Sequence, residues 1–163
     1  MNVHLRTFFC LVFSLVLTVL ANGCTGPGQT RQQHVHQQAH MVMPFSIAKT
    51  VHIFRITEFG GVEQVVVRDA ADTDQIAHIR RHLRHEAERF QHGDFSDPAK
   101  LHGEDMPGLR DLQSGASRIK VSYADLPSGG EIVFETGDLR MLTAIHRWFG
   151  AQLSEHGADA RPE

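Results

Sequence analysis

The stretch Thr50-Val51-His52-Ile53-Phe54-Arg55-Ile56-Thr57-Glu58-Phe59-Gly60-Gly61-Val62-Glu63-Gln64-Val65-Val66-Val67-Arg68 decides the fold. Thr50 to Glu58 is rich in β-branched and aromatic residues, which fit a pleated, half-buried surface. Gly60-Gly61 is a tight-turn signal, and Val62 to Arg68 resumes the pattern with Val65-Val66-Val67. The reading is a β-hairpin.

Downstream, the period changes from two to 3.6. Asp72 or Thr73 caps a helix reaching about Gln91, with Ile76, Ile79, Leu83, Ala87 and Phe90 on one stripe. Gly93 ends it. Residues 92–116 form a long connection. Ser96-Asp97-Pro98 and Pro107-Gly108 each signal a short helical turn there. A second hairpin follows. Arg118 to Leu126 alternates through Ile119, Val121 and Tyr123; Pro127-Ser128-Gly129-Gly130 turns; Glu131 to Thr136 returns. Asp138 caps a last helix with the stripe Leu142, Ile145, Phe149 and Leu153, and Gly157 stops it. The order ββα–ββα predicts an α+β two-layer sandwich: a four-stranded antiparallel sheet with two helices packed on one face. The expected domain spans residues 46–157, with 158–163 a disordered tail.

Upstream, Arg6 and the apolar run Thr7 to Leu20 read as a signal peptide over residues 1–23. The run is about 14 residues long, short of the roughly 20 that a spanning helix needs. Ala21-Asn22-Gly23-Cys24 resembles a lipoprotein signal, with Asn22 departing from its usual pattern. The expectation is a lipid on Cys24, a flexible Gln/His tether over residues 24–45, and a domain on the periplasmic face of a membrane. Thr25 favours the outer membrane. Cleavage near the same place without lipid is the alternative. Cys10 leaves with the signal and Cys24 takes the lipid, so neither of the two cysteines remains for a disulfide or thiol chemistry.

The chain has 16 Lys and Arg against 19 Asp and Glu. Losing Arg6 with the signal leaves the domain more acidic, which argues against nucleic-acid binding. Histidine is the outlier, at 12 residues. It titrates near neutrality and is the commonest metal ligand. The tether carries His34, His36, His40, Met41 and Met43. His78, His82 and His85 lie along one face of the first helix, flanking the apolar stripe or exposed. In the long connection, His102, Asp105 and Met106 lie close together, and His146 sits beside Trp148 on the last helix. The candidate metal ligands are His82, His102, Met106 and His146, for copper or zinc. No G-x-S-x-G elbow, H-E-x-x-H, P-loop or G-x-G-x-x-G is present.

Three stretches carry a family resemblance: His92-Gly93-Asp94-Phe95-Ser96-Asp97-Pro98; His102-Gly103 with Asp105-Met106-Pro107-Gly108; and His146-Arg147-Trp148-Phe149 through Ala151-Gln152-Leu153 to His156-Gly157. From about Met43 to Gly157 the chain resembles a family of small proteobacterial exported proteins often called aspartate carbamoyltransferase. The resemblance implies a grouping. The Ser-Thr-Arg-Thr phosphate-binding run of the true transferase has no counterpart here, so no catalytic residues carry over. The leading functional expectation is a periplasm-facing lipoprotein that binds a transition metal or small ligand through histidines. The alternatives are a non-catalytic envelope module holding a protein partner, and an enzyme as in the family label.

Overall fold

The computed structural model describes residues 30–163. The expected signal peptide and Cys24 lie outside those residues. Ten elements follow in order: α1 (Arg31–Gln38), β1 (Thr50–Thr57), β2 (Gly60–Val67), α2 (Thr73–Gln91), α3 (Ser96–His102), α4 (Leu109–Gly115), β3 (Lys120–Leu126), β4 (Gly129–Glu135), α5 (Leu139–His156) and β5 (Ala160–Pro162). The chain is an α+β domain, with ββα–ββα at its centre. No helix among the described residues is long and apolar enough to cross a membrane.

The sheet has five strands in the order β3-β4-β2-β1-β5. The first four are antiparallel, with Phe54 opposite Glu63 and Glu63 opposite Ile132. The expectation of a purely antiparallel four-stranded sheet is corrected at one edge. There β5 adds parallel to β1, pairing His52 with Ala160 and Phe54 with Pro162. Residues 160–162, expected in a disordered tail, are therefore part of the sheet. Three residues show no period, and the proline argued against a strand. Pro162 is tolerated because it sits on an edge, where a missing N–H costs no ladder bond.

The first hairpin turns two residues before Gly60-Gly61, and the second turns on the first half of the expected Pro127-Ser128-Gly129-Gly130. Glu58-Phe59 and Pro127-Ser128 make the turns, and each Gly-Gly pair opens the returning strand. The glycines serve packing. A Cβ on Gly61 would lie 2.4 Å from the Phe149 ring, and one on Gly129 would lie 1.9 Å from the Val65 carbonyl oxygen.

The long helices cover one face of the sheet. Asp72 caps α2 by accepting from the Gln75 N–H, and Asp138 caps α5 by accepting from Arg140 and Met141, each satisfying otherwise orphaned first-turn donors. Phe54, Val65, Ile132 and Phe134 of the sheet form one core with Ile79, Leu83, Ile145, Trp148 and Phe149. Between α2 and β3, Phe95 stacks on Phe90 at 4.5 Å and meets Trp148 edge-on at 5.7 Å. These rings pin the start of α3.

The expected tether is the second correction. Residues 31–38 form a helix opened by a Thr30–Gln33 capping box, followed by a turn of 3-10 helix at Ala39–Met41. Val35 and Ala39 are buried. Arg31 donates to the carbonyl oxygen of His102 and to Glu155 Oε1. The segment looked like a spacer because its composition is polar. It folds because two apolar side chains and one arginine suffice once α3 and α5 provide a surface.

Candidate functional site

The helix α5 turns a ridge of Trp148, Gln152 and His156 toward the sheet. These positions are four residues apart, the spacing that aligns side chains along a helix. The apolar stripe expected through Leu142 and Leu153 lies partly to one side, since Met141, Ala144, Trp148, Gln152 and His156 are buried instead. Facing the ridge, β1 and β2 point His52 and Glu63 inward. Both are buried, at positions where strand alternation calls for apolar residues. His82 and Glu86 come from α2, and His102 from the end of α3. Val42, Met43 and Phe45 close the outer side. Together these side chains line a partly open cavity of about 50 Å3. It shares Val42, Met43, His82 and Asp97 with a wider groove of about 560 Å3, which also carries His40, Met41 and His85.

The imidazoles are in contact through rings. His52 stacks on His156 at 4.8 Å and 25°, and His156 lies 5.1 Å from His102. Phe45 stands 6.0 Å from His52 and 5.6 Å from His82. His102 is oriented by Glu155, with Nδ1 2.9 Å from Oε2. A carboxylate only accepts, so Nδ1 carries the proton and donates. Arg31 holds the other oxygen of Glu155 at 3.0 Å.

Burial keeps the cavity electrically quiet. Desolvation, then the neighbouring His82 and His102, push the His52 pKa down to about 3. Desolvation lowers His82 to about 4. Burial also lowers His102, against the pull of Glu155, and holds His156 well below the usual range. Glu63 moves the other way: burial, then Glu86, push it up to about 8. At neutral pH the four histidines are uncharged and Glu63 is largely protonated. A carboxyl whose folded pKa is raised loses stability as pH climbs from its unfolded value toward the folded one. Glu63→Gln should therefore gain a few kcal/mol at pH 8, where a shift of one unit is about 1.4 kcal/mol, and little at pH 4.5. Thermal melts of both proteins at the two pH values check this.

Of the five buried side-chain polar atoms without a protein hydrogen-bond partner among the described residues, four belong to this cavity. They are His52 Nδ1, Trp148 Nε1, Gln152 Oε1 and His156 Nδ1; the fifth is His78 Nδ1. Each such group costs roughly 1–3 kcal/mol if nothing satisfies it. Four together rival the whole stability of a domain, roughly 5–15 kcal/mol. A water needs roughly 10–15 Å3 of such space, so the cavity holds a few waters or a ligand of a few heavy atoms.

An arginine fixes the wall made by α3. Arg89 donates to Glu86 Oε1 at 2.7 Å, Asp94 Oδ2 at 2.9 Å, Asp97 Oδ2 at 2.7 Å and Ser96 Oγ at 2.5 Å. The Gly93-Asp94-Phe95-Ser96-Asp97-Pro98 run is thus a clasp. Asp94 also accepts from the Ser96 N–H, and Arg89 holds Asp94 well below the ordinary carboxylate range.

Of the four residues expected to ligate a metal, His82 and His102 line the cavity. His82, expected to flank the apolar stripe or be exposed, is covered on the outer side by Val42, Met43 and Phe45. Met106 is instead packed in the apolar core, and Asp105 is exposed. His146 is half-buried away from the cavity, donating from Nε2 to the carbonyl oxygens of Thr57 at 3.1 Å and Gly60 at 3.0 Å. It ties α5 to the first hairpin. His146→Ala should cost about 1 kcal/mol by the worth of such a bond, measured by urea unfolding, with no effect on ligand binding. Among the described residues, no group of three or more His, Cys, Asp or Glu is arranged to hold a metal ion. Reading from sequence missed His52, Glu63, Glu86, Gln152 and His156. Polar residues at inward strand positions, and the four-residue spacing from Trp148, were the available signals. No family model, curated protein or solved structure matches the chain.

Proposed function

We propose that this chain is an exported, membrane-tethered binding protein whose small polar ligand occupies the histidine-lined cavity. The supporting observation is the four unpartnered buried polar atoms around one partly open cavity that adjoins a wider groove. The wall also keeps four neutral histidines and a raised carboxyl at a cost in stability. Perturbed groups gathered in a cleft are candidates for a functional site. The segments 94–98, 102–103 and 146–157 meet in or beside this wall.

The test uses the single tryptophan, which lies in the wall. Trp148 emission is followed while the purified protein is titrated with small neutral, anionic and cationic polar fragments, and separately with Zn(II) and Cu(I). The proposal expects a saturable response to one fragment class, weakened in His52→Phe. A response to none of the fragments contradicts it. A metal response lost in His102→Ala would replace the small-molecule ligand with a metal ion.

A further inference from the structure

We infer that the cavity selects a small neutral molecule bearing a primary carboxamide or urea-type group. The inference rests on the cavity being a ligand site and names what enters it.

The unpartnered atoms have defined polarity. His52 Nδ1 has no hydrogen-bond partner within the protein, and it accepts when Nε2 carries the ring proton. Gln152 Oε1 is an acceptor and Trp148 Nε1 a donor. His156 Nδ1 takes either role with its tautomer. The cavity thus presents one acceptor, one donor and two imidazole nitrogens that can each accept. A primary amide answers with two N–H groups and one carbonyl oxygen. An alcohol has one donor, an ammonium has no acceptor, and a carboxylate has no donor.

Charge and shape agree. Among the described residues, no lysine or arginine lines the cavity. Arg89 is engaged by three carboxylates, and Arg31 by Glu155. The wall is flat on several sides, with the stacked His52 and His156 rings and the indole, which suits a planar group. Glu63, its pKa pushed up to about 8 by burial, also lines the cavity and is a further donor when protonated.

The test follows the indole N–H resonance of Trp148, unique in the chain, by NMR at pH 7. Wild type and Gln152→Leu are each titrated with acetamide, N,N-dimethylacetamide, acetate and methylammonium. The inference expects acetamide alone to shift the resonance saturably. Gln152→Leu should weaken that binding at least tenfold. Equal responses to acetamide and dimethylacetamide, or undiminished acetamide binding in Gln152→Leu, overturn the amide assignment. Saturation by acetate or methylammonium in place of acetamide also overturns it, while leaving the cavity a ligand site. No saturable shift from any probe sinks both. If Gln152→Leu fails to fold, the comparison of acetamide with dimethylacetamide on wild type decides.

Discussion

Acidification from pH 6.5 to about 4.5 should remove roughly 3 kcal/mol of stability through three buried groups alone. A histidine with a depressed folded pKa leaves the native state unprotonated while the unfolded chain takes up a proton, so stability is lost as pH falls below the unfolded value. His52 falls from 6.5 to about 3 and His82 to about 4. At 1.36 kcal/mol per unit, two units of descent cost the pair roughly 5 kcal/mol. Glu63, raised from 4.5 to about 8, opposes them and returns roughly 2 kcal/mol over the same span. His102 and His156 add to the loss, since both are lowered. Above pH 6.5 the histidine contribution is flat and Glu63 takes over, so stability should decline again toward pH 8. Urea unfolding at half-unit pH steps should give a maximum near pH 6.5. A flat profile from 6.5 to 4.5 would show that these imidazoles are solvated. Replacing His52 with Phe should shallow the acid limb and leave the fall above pH 6.5 in place.

The second large effect is expected at Arg89. Its guanidinium is 17% exposed and faces Glu86, which is 5% exposed, and Asp97, at 18%. Removing one partner from a buried charge cluster costs roughly 3–5 kcal/mol, because the remaining charges stay behind unpaired. Arg89→Ala should reach that range and also loosen the 94–98 clasp, freeing Phe95 from its stack on Phe90. Lysine should not rescue it, since one ammonium cannot reproduce the fork that spans three carboxylates. Glu86→Gln in the Arg89→Ala background should recover part of the loss, because the most buried of the stranded charges is then gone. Denaturation of the single and double variants measures this. A loss under 1 kcal/mol in Arg89→Ala would mean the cluster is solvated.

Much of the fold was legible from local rules. The hairpin at residues 50–67 and the helix from Thr73 to Gln91 follow from period and capping. Even α3 and α4 were announced by Pro98 and Pro107-Gly108. The elements that escaped are those whose stability is tertiary. Arg31–Gln38 has a mean composition fit for a spacer, and Ala160–Pro162 is too short to show a period. The site was half legible. Histidine abundance pointed to the right residue type, and His82 and His102 were among the candidates. His146 and Met106 drew attention through neighbours in sequence that are not neighbours in space. His52 and Glu63 were hidden inside strands that otherwise read as ordinary core. Recognising them required knowing that their inward faces meet Gln152 and His156 of a helix about 100 residues away.

The central claim is that the four unpartnered atoms surround an occupied polar site. A crystal structure at a resolution that orders buried solvent tests it most directly. Difference density is expected inside the cavity, within hydrogen-bond distance of His52 Nδ1, Gln152 Oε1 and Trp148 Nε1. Side chains collapsed onto one another, with those three atoms paired within the protein and no density between them, would contradict it.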